Sequence, residues 1–208
     1  MDIGSALWRQ GRGWETEPPR HLDSARTLVL AFASPTLSDA PQALQALASA
    51  FPTAVVAGCS TAGEIHGDAL HDGCISVAVV RFAHTALRLA LTPVASADDS
   101  AAAGGRLAAE LVAPAEGQPL TAVLLLGDGT CVNGTALTSG LAAALPAGAA
   151  IAGGLAGDGS RFQRTWVFDR TTSQTGHALA VGLYGDRLHV ASGCEGGALV
   201  MAAVCPSC

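Results

Sequence analysis

The sequence predicts an α/β fold: internally duplicated strand–helix–strand–strand–strand units forming a mixed-sheet layered domain. Three observations carry that expectation. Apolar runs of strand length, TLVLAFA (27–33) and TAVLLLG (121–127), each precede a stretch whose apolar residues recur at helical spacing. Each such stretch is followed by a second short apolar run ending in glycine, TAVVAG (53–58) and AAIAGG (149–154). The order of elements then begins again in the second half, the mark of an internal repeat.

Residues 1–26 are polar and broken by Pro and Gly, and are expected to form a loosely held arm. After the first strand, Ser38 is a candidate helix cap and Pro41 suits the first turn. Leu44, Leu47, Ala48 and Phe51 share one face, and Pro52 stops the helix. Beyond 53–58 comes a loop of small residues, then CISVAVVRF (74–82) and TALRLALTPV (85–94). Only Ala83-His84 separate these two runs, which predicts a hairpin. A second helix is expected over 98–112. In the second half, NGTALTSGLAAAL (133–145) reads as a helix with Leu137, Leu141 and Leu145 on one face. RTWVF, HALAVGLYG and RLHVAS complete the strands.

The halves match in order: Leu47, Phe51 and Pro52 with Leu141, Leu145 and Pro146; Ala57-Gly58 with Ala152-Gly153; Ala62-Gly63-Glu64 with Ala156-Gly157-Asp158. The expected organisation is an arm (1–26), a domain over 27–193 with repeats at 27–112 and 121–193, and an irregular tail (194–208).

Of the 208 residues, 50% are hydrophobic and 13% charged, so the chain has the means to bury a core and little reason to be disordered. Aromatics are only 4%, which leaves Ala, Val, Leu and Gly to fill the interior. A net charge of -6 without any basic run argues against a nucleic-acid surface. The N-terminus lacks the apolar segment of a secretion signal, and LTSGLAAALPAGAAIAGG (137–154) is interrupted by Pro146 and glycines. No membrane partner and a cytoplasmic location are therefore expected. Six cysteines are too sparse for a disulfide framework and fit a reducing compartment.

Two loops carry the candidate chemistry: Gly58, Cys59, Ser60, Thr61, Ala62, Gly63 and Glu64 in the first half, and Gly153, Gly154, Leu155, Ala156, Gly157 and Asp158 in the second. Glycine and alanine let a ligand approach main-chain N–H groups, and Ser60 and Thr61 add hydroxyls. Glu64 and Asp158 supply one carboxylate from each half. If the loops face each other at strand ends, they suit a small polar ligand, such as the zwitterion of an amino acid.

Catalytic readings are weaker. Gly58-Cys59-Ser60-Thr61-Ala62 mimics a nucleophile elbow, but Gly63, Gly67 and Gly73 prevent the helix that motif requires. Cys59 with His66 or His71 would form a thiol dyad only if the fold brought them together. Gly154–Gly159 lacks the Lys-Ser/Thr of a phosphate loop. Cys205 and Cys208, with Cys194 upstream, give too few ligands for structural zinc. His66, His71 and Cys59 are candidate axial ligands for haem, the alternative cofactor. Otherwise neither cofactor nor metal is expected, and the protein reads as non-enzymatic.

GCSTAGEI (58–65), LLLGDGTCVNG (124–134) and IAGGLAGDGSRFQRTWVF (151–168), in that order, resemble the signature of the FIST N-terminal domain, a bacterial sensory module of signal-transduction proteins. The resemblance runs over residues 26–193. It implies sensing of a small ligand, with amino acids proposed for the family; some relatives are instead haem proteins that sense nitric oxide. It implies signalling to a histidine kinase or a cyclic-di-nucleotide enzyme. The matched positions are Gly58 to Glu64, Asp128, Asn133, and Gly153 to Asp158. The family usually continues into a FIST C-terminal domain, and CEGGALVMAAVCPSC (194–208) departs from the expected continuation. The chain is thus expected to be a fragment or a short form, with that C-terminal domain as a missing partner.

Overall fold

The computed structural model describes residues 1–37, 40–170, 172–195 and 198–204. In chain order the elements are β1 (Asp2–Arg9), β2 (Gly13–Thr16), β3 (Thr27–Ala33), α1 (Ala40–Ala50), β4 (Val55–Ser60), β5 (Glu64–His66), β6 (Ala69–His71), β7 (Cys74–Arg81) and β8 (Ala86–Pro93). They continue with α2 (Ser100–Leu111), β9 (Leu120–Gly127), α3 (Gly134–Ala144), β10 (Ala150–Leu155), β11 (Val167–Asp169), β12 (Ser173–Gln174), β13 (His177–Tyr184), β14 (His189–Glu195) and β15 (Ala198–Val204).

Two units result, and neither is one continuous half. The first holds Met1–Phe82, Asp128–Thr130 and Ala156–Thr175; the second holds Ala83–Gly127, Cys131–Leu155 and the chain from Gly176 onward.

In the first unit the apolar run of β3 lies parallel to β4, from Leu28↔Val55 to Ala33↔Ser60, with α1 as the crossover. The sheet order is β12-β11-β4-β3-β7-β1-β2. The helical spacing of Leu44, Leu47 and Phe51 buries all three in a core with Val29, Val56, Val77, Trp166 and Phe168. Fully burying side chains of this size stabilises by about 1.5–3 kcal/mol each before entropy is charged. Ser38, the candidate cap of α1, lies outside the described residues.

In the second unit the order is β10-β9-β13-β8, and β9 and β10 are the parallel pair. α2 and α3 bury Leu107, Leu111, Leu137 and Leu141 with Val123, Leu125 and Ala180. The two helices meet backbone to backbone. A Cβ on Gly104 would sit 2.2 Å from the Leu137 carbonyl oxygen, and one on Gly140 would sit 2.0 Å from that of Ala101. This close approach is what a core poor in aromatics permits. Tyr184 is fully buried; its hydroxyl donates to the Leu111 carbonyl at 2.7 Å.

The two sheets share one topology. β4-β3-β7-β1 and β10-β9-β13-β8 each place a parallel pair first and two antiparallel strands after it. The matched Ala-Gly pairs fall on corresponding strands. A Cβ on Gly58 would lie 2.0 Å from the Ala31 carbonyl oxygen, and one on Gly153 would lie 1.7 Å from that of Leu125. Glycine is required at both places because the neighbouring strand's backbone occupies the side-chain position.

Four expectations are corrected. Residues 1–26 are no loose arm: β1 pairs with β7 along its whole length, from Asp2↔Arg81 to Arg9↔Cys74, and Ala6, Leu7 and Trp8 are buried. The hairpin of 74–82 with 85–94 does not form. Both edges of β7 are taken, by β1 and β3, and β8 instead pairs with β13. Strand β8 and helix α2 consequently belong to the second unit, so the two units do not follow the expected bounds of 27–112 and 121–193. The tail is not irregular throughout, since β15 pairs antiparallel with β14.

Candidate functional site

The turn after β4 is built by main-chain hydrogen bonds. Ser60 N–H donates to the Trp166 carbonyl (3.0 Å), and Trp166 N–H returns a bond to Ser60 Oγ (3.1 Å). Thr61 N–H donates to the Ala33 carbonyl at 3.0 Å. Both polar atoms that Ser60 could offer a ligand through its N–H and hydroxyl thus hold β11 against β4. Glu64 opens β5 and is only 1% exposed. Thr61 Oγ1 donates to its Oε1 at 2.7 Å, and the Cys74 thiol donates to its Oε2 at 3.7 Å. Burial pushes the Glu64 pKa above 4.5, opposed by the Thr61 and Cys74 hydrogen bonds and reinforced by the charge of Asp72.

The second loop sits directly on the first. Gly157 N–H donates to the Ser60 carbonyl at 2.9 Å, and a Cβ on Gly157 would meet the Ala62 nitrogen at 3.2 Å. The Asp158 carboxylate turns back on its own loop. It accepts from the backbone N–H groups of Phe162 (3.0 Å), Gln163 (2.7 Å) and Arg164 (3.0 Å). These bonds, Arg164 first, hold its pKa below 3.8. The loop they staple presents Phe162 at φ +50°, 85% exposed. Asp128 is fully buried; its Oδ1 accepts from Thr130 N–H (2.7 Å), Thr130 Oγ1 (2.6 Å) and Thr165 Oγ1 (2.7 Å). Thr165 Oγ1 in turn accepts from Gly129 N–H at 2.8 Å.

The expected geometry, two acids facing each other across a ligand, is therefore not what the chain builds here. The two backbones touch, and Glu64 and Asp158 each bind protein groups.

Gly153, Gly154 and Leu155 belong to a different place. They border a hollow of about 240 Å³ in the second unit, between β10 and the first turns of α3. Leu125, Leu137 and Ile151 line it with Gly134 at the helix start, and Thr138, itself exposed, is its one lining residue with a polar side chain among the described residues. Asn133, matched by resemblance, fixes the helix rather than lining the hollow. Its Oδ1 accepts from Ala136 N–H (3.0 Å), and its own N–H donates to Ser100 Oγ (2.9 Å). Sequence reasoning missed the wall residues. Helical spacing assigns Leu137 only to a buried face of α3, and the meeting of that face with β10 has no local signal.

Cys59 is 4% exposed on β4, and burial pushes its thiol up to about 12, which leaves it protonated and sheltered. His66 and His71 lie on β5 and β6 with ring centroids 6.5 Å apart. Arg9 donates to His71 Nδ1 at 2.8 Å, which makes that nitrogen the acceptor and puts the ring's N–H on Nε2. His66 Nδ1 lies 3.5 Å from Ser76 Oγ. Of these three candidate haem ligands, the Cys59 thiol is buried in a strand, the His71 imidazole is engaged by a guanidinium, and none lines the hollow. Among the described residues, no group of three or more His, Cys, Asp or Glu could hold a metal ion. Cys205 and Cys208 lie outside the described residues.

Among the described residues no helix is long and apolar enough to cross a membrane. No curated protein matches the chain. A family model described as FIST N domain matches residues 27–199, a span that takes in the turn after β4, Asp128 and both glycine-rich segments. The chain belongs to the FIST N domain family, a family of sensory domains in signal transduction.

Proposed function

We propose that this protein is a non-catalytic sensory domain whose small ligand binds in the hollow between β10 and α3. The observation that carries the reading is the hollow itself. It is bordered by Gly153, Gly154 and Leu155, the last three residues of β10 and within the family match, and by Gly134 at the start of a capped helix. Its volume of about 240 Å³ is below the roughly 300–1,000 Å³ that suits drug-sized ligands, so its occupant is a small metabolite. Binding there would tie the β10 loop to α3 and shift a population that a separate signalling protein, such as a histidine kinase or a cyclic-di-nucleotide enzyme, reads. The shared strand order of the two sheets is what an internal duplication would produce, with one copy's loop retained for structure.

The sheltered thiol of Cys59 supports the non-catalytic part of the reading. The test is a thermal-shift panel of small metabolites, amino acids included, run on the parent chain and on Gly154→Leu. A Cβ at Gly154 meets no heavy atom within 4 Å, so the leucine occupies space without straining the strand. A compound that raises the parent's Tm and leaves Gly154→Leu unmoved supports the site. An equal rise in both places the ligand elsewhere, and a Soret band in protein from haem-supplied cells overturns the reading in favour of haem.

A further inference from the structure

The hollow's walls are aliphatic. Leu125 comes from β9, Leu137 from α3, and Ile151 and Leu155 from β10. Leu125 and Leu137 are buried in the unit's core, whereas Leu155 is 46% exposed and stands at the rim. The polar contribution from side chains among the described residues is the Thr138 hydroxyl; the glycines add only main chain. Such a surface gains by covering aliphatic groups. A carboxylate or ammonium placed against it loses part of its water and receives only hydroxyl and amide dipoles in return.

Resting on the reading that this hollow holds the sensed ligand, we infer that the ligand is a short, branched, uncharged aliphatic compound with a single hydrogen-bonding group that meets Thr138. A space of about 240 Å³ corresponds to about eight waters at their liquid share of ~30 Å³ each, which a molecule of about five to eight heavy atoms fills. A branched carbon skeleton matches walls made of leucine and isoleucine methyls. The one neutral polar group keeps the ligand soluble and exchanges its water for the Thr138 hydroxyl. This departs from a zwitterion, whose two charges would need ionic partners; Glu64 and Asp158 are bound to Thr61 and Cys74, and to the 162–164 amides, in the other unit.

The experiment is a titration of the full chain, labelled at Ile and Leu methyls, followed by NMR. The probes are four compounds of one skeleton: 3-methylbutanamide, 3-methylbutan-1-ol, 3-methylbutanoate and leucine. Saturable shifts of the Leu125, Leu137, Ile151 and Leu155 methyls are expected with the amide and the alcohol, at affinities at least about tenfold above those of the carboxylate and leucine. Thr138→Val, which keeps the shape and removes the hydroxyl, should weaken the amide and the alcohol at the same methyls. If the carboxylate or leucine shifts those methyls with equal or higher affinity, the uncharged class is wrong and the hollow stands as the site. If none of the four shifts them at millimolar concentration, the hollow is not the sensing site and both readings fall.

Discussion

Gly157 donates its backbone N–H to the carbonyl oxygen of Ser60 at 2.9 Å, so the two loops that carry the family signature are joined main chain to main chain. Gly157 can approach because a Cβ there would already stand 3.2 Å from the Ala62 nitrogen. The contact turns two expected ligand walls into one structural strap, with Asp158 as its fastener. Consequences follow for each acid, for the glycines and for the buried thiols.

Asp158→Ala should loosen the loop over 158–165 without unfolding the sheet. The amides of Phe162, Gln163 and Arg164 lose their acceptor and should exchange with solvent faster by on the order of tenfold, read by hydrogen exchange. Because the folded pKa is held below 3.8, the stability from this carboxylate is present above 3.8 and is lost as pH falls through the lowered value. The Tm gap between parent and variant should therefore close in acid. Unchanged exchange at these three amides would contradict the fastener role.

Glu64 behaves in the opposite sense. Its folded pKa lies above 4.5, so the stability it confers is complete below 4.5 and is lost as pH rises through the raised value. Glu64→Gln keeps an acceptor for Thr61 Oγ1 and cannot ionise. Its Tm should exceed the parent's by a few degrees at neutral pH and converge with it below 4.5. A variant less stable than the parent at neutral pH would show that the ionised carboxylate is the favoured form.

Neighbouring glycines should differ sharply. Gly153→Ala forces a Cβ to 1.7 Å from the Leu125 carbonyl oxygen at φ +151°, and should cost about 3 kcal/mol by splitting β10 from β9. Gly154→Ala meets nothing within 4 Å and should stay within about 0.5 kcal/mol of the parent. Urea unfolding of the two variants measures the difference. Equal midpoints would mean that the strands adjust at no cost.

Cys59 and Cys74 should resist alkylation in the native protein at pH 8. Burial pushes both thiols up to about 12, so the reactive thiolate is on the order of 10⁻⁴ of each. Mass spectrometry after iodoacetamide treatment should find both unmodified, and both labelled once guanidinium unfolds the chain. Native labelling of Cys59 would restore it as a candidate nucleophile.

The amino-acid sequence by itself determined the α/β class, the three helices, the buried faces of α1 and α3, the strand–helix–strand order around each of those two helices, and the family signature. All of these are written in short-range periodicity and local motifs; why glycine stands at Gly58 and Gly153 is seen only in the paired strands. The tertiary structure alone decided four things. β1 finds its partner β7 far along the chain, and β8 turns away from β7 because both edges of β7 are occupied. Asp158 binds amides of its own loop instead of facing Glu64, and the hollow forms where Leu137 of one element meets Ile151 of another. Pairing between distant segments leaves no local pattern, and a carboxylate's partner is set by which donors the fold brings within about 3 Å, a choice that composition and spacing do not encode.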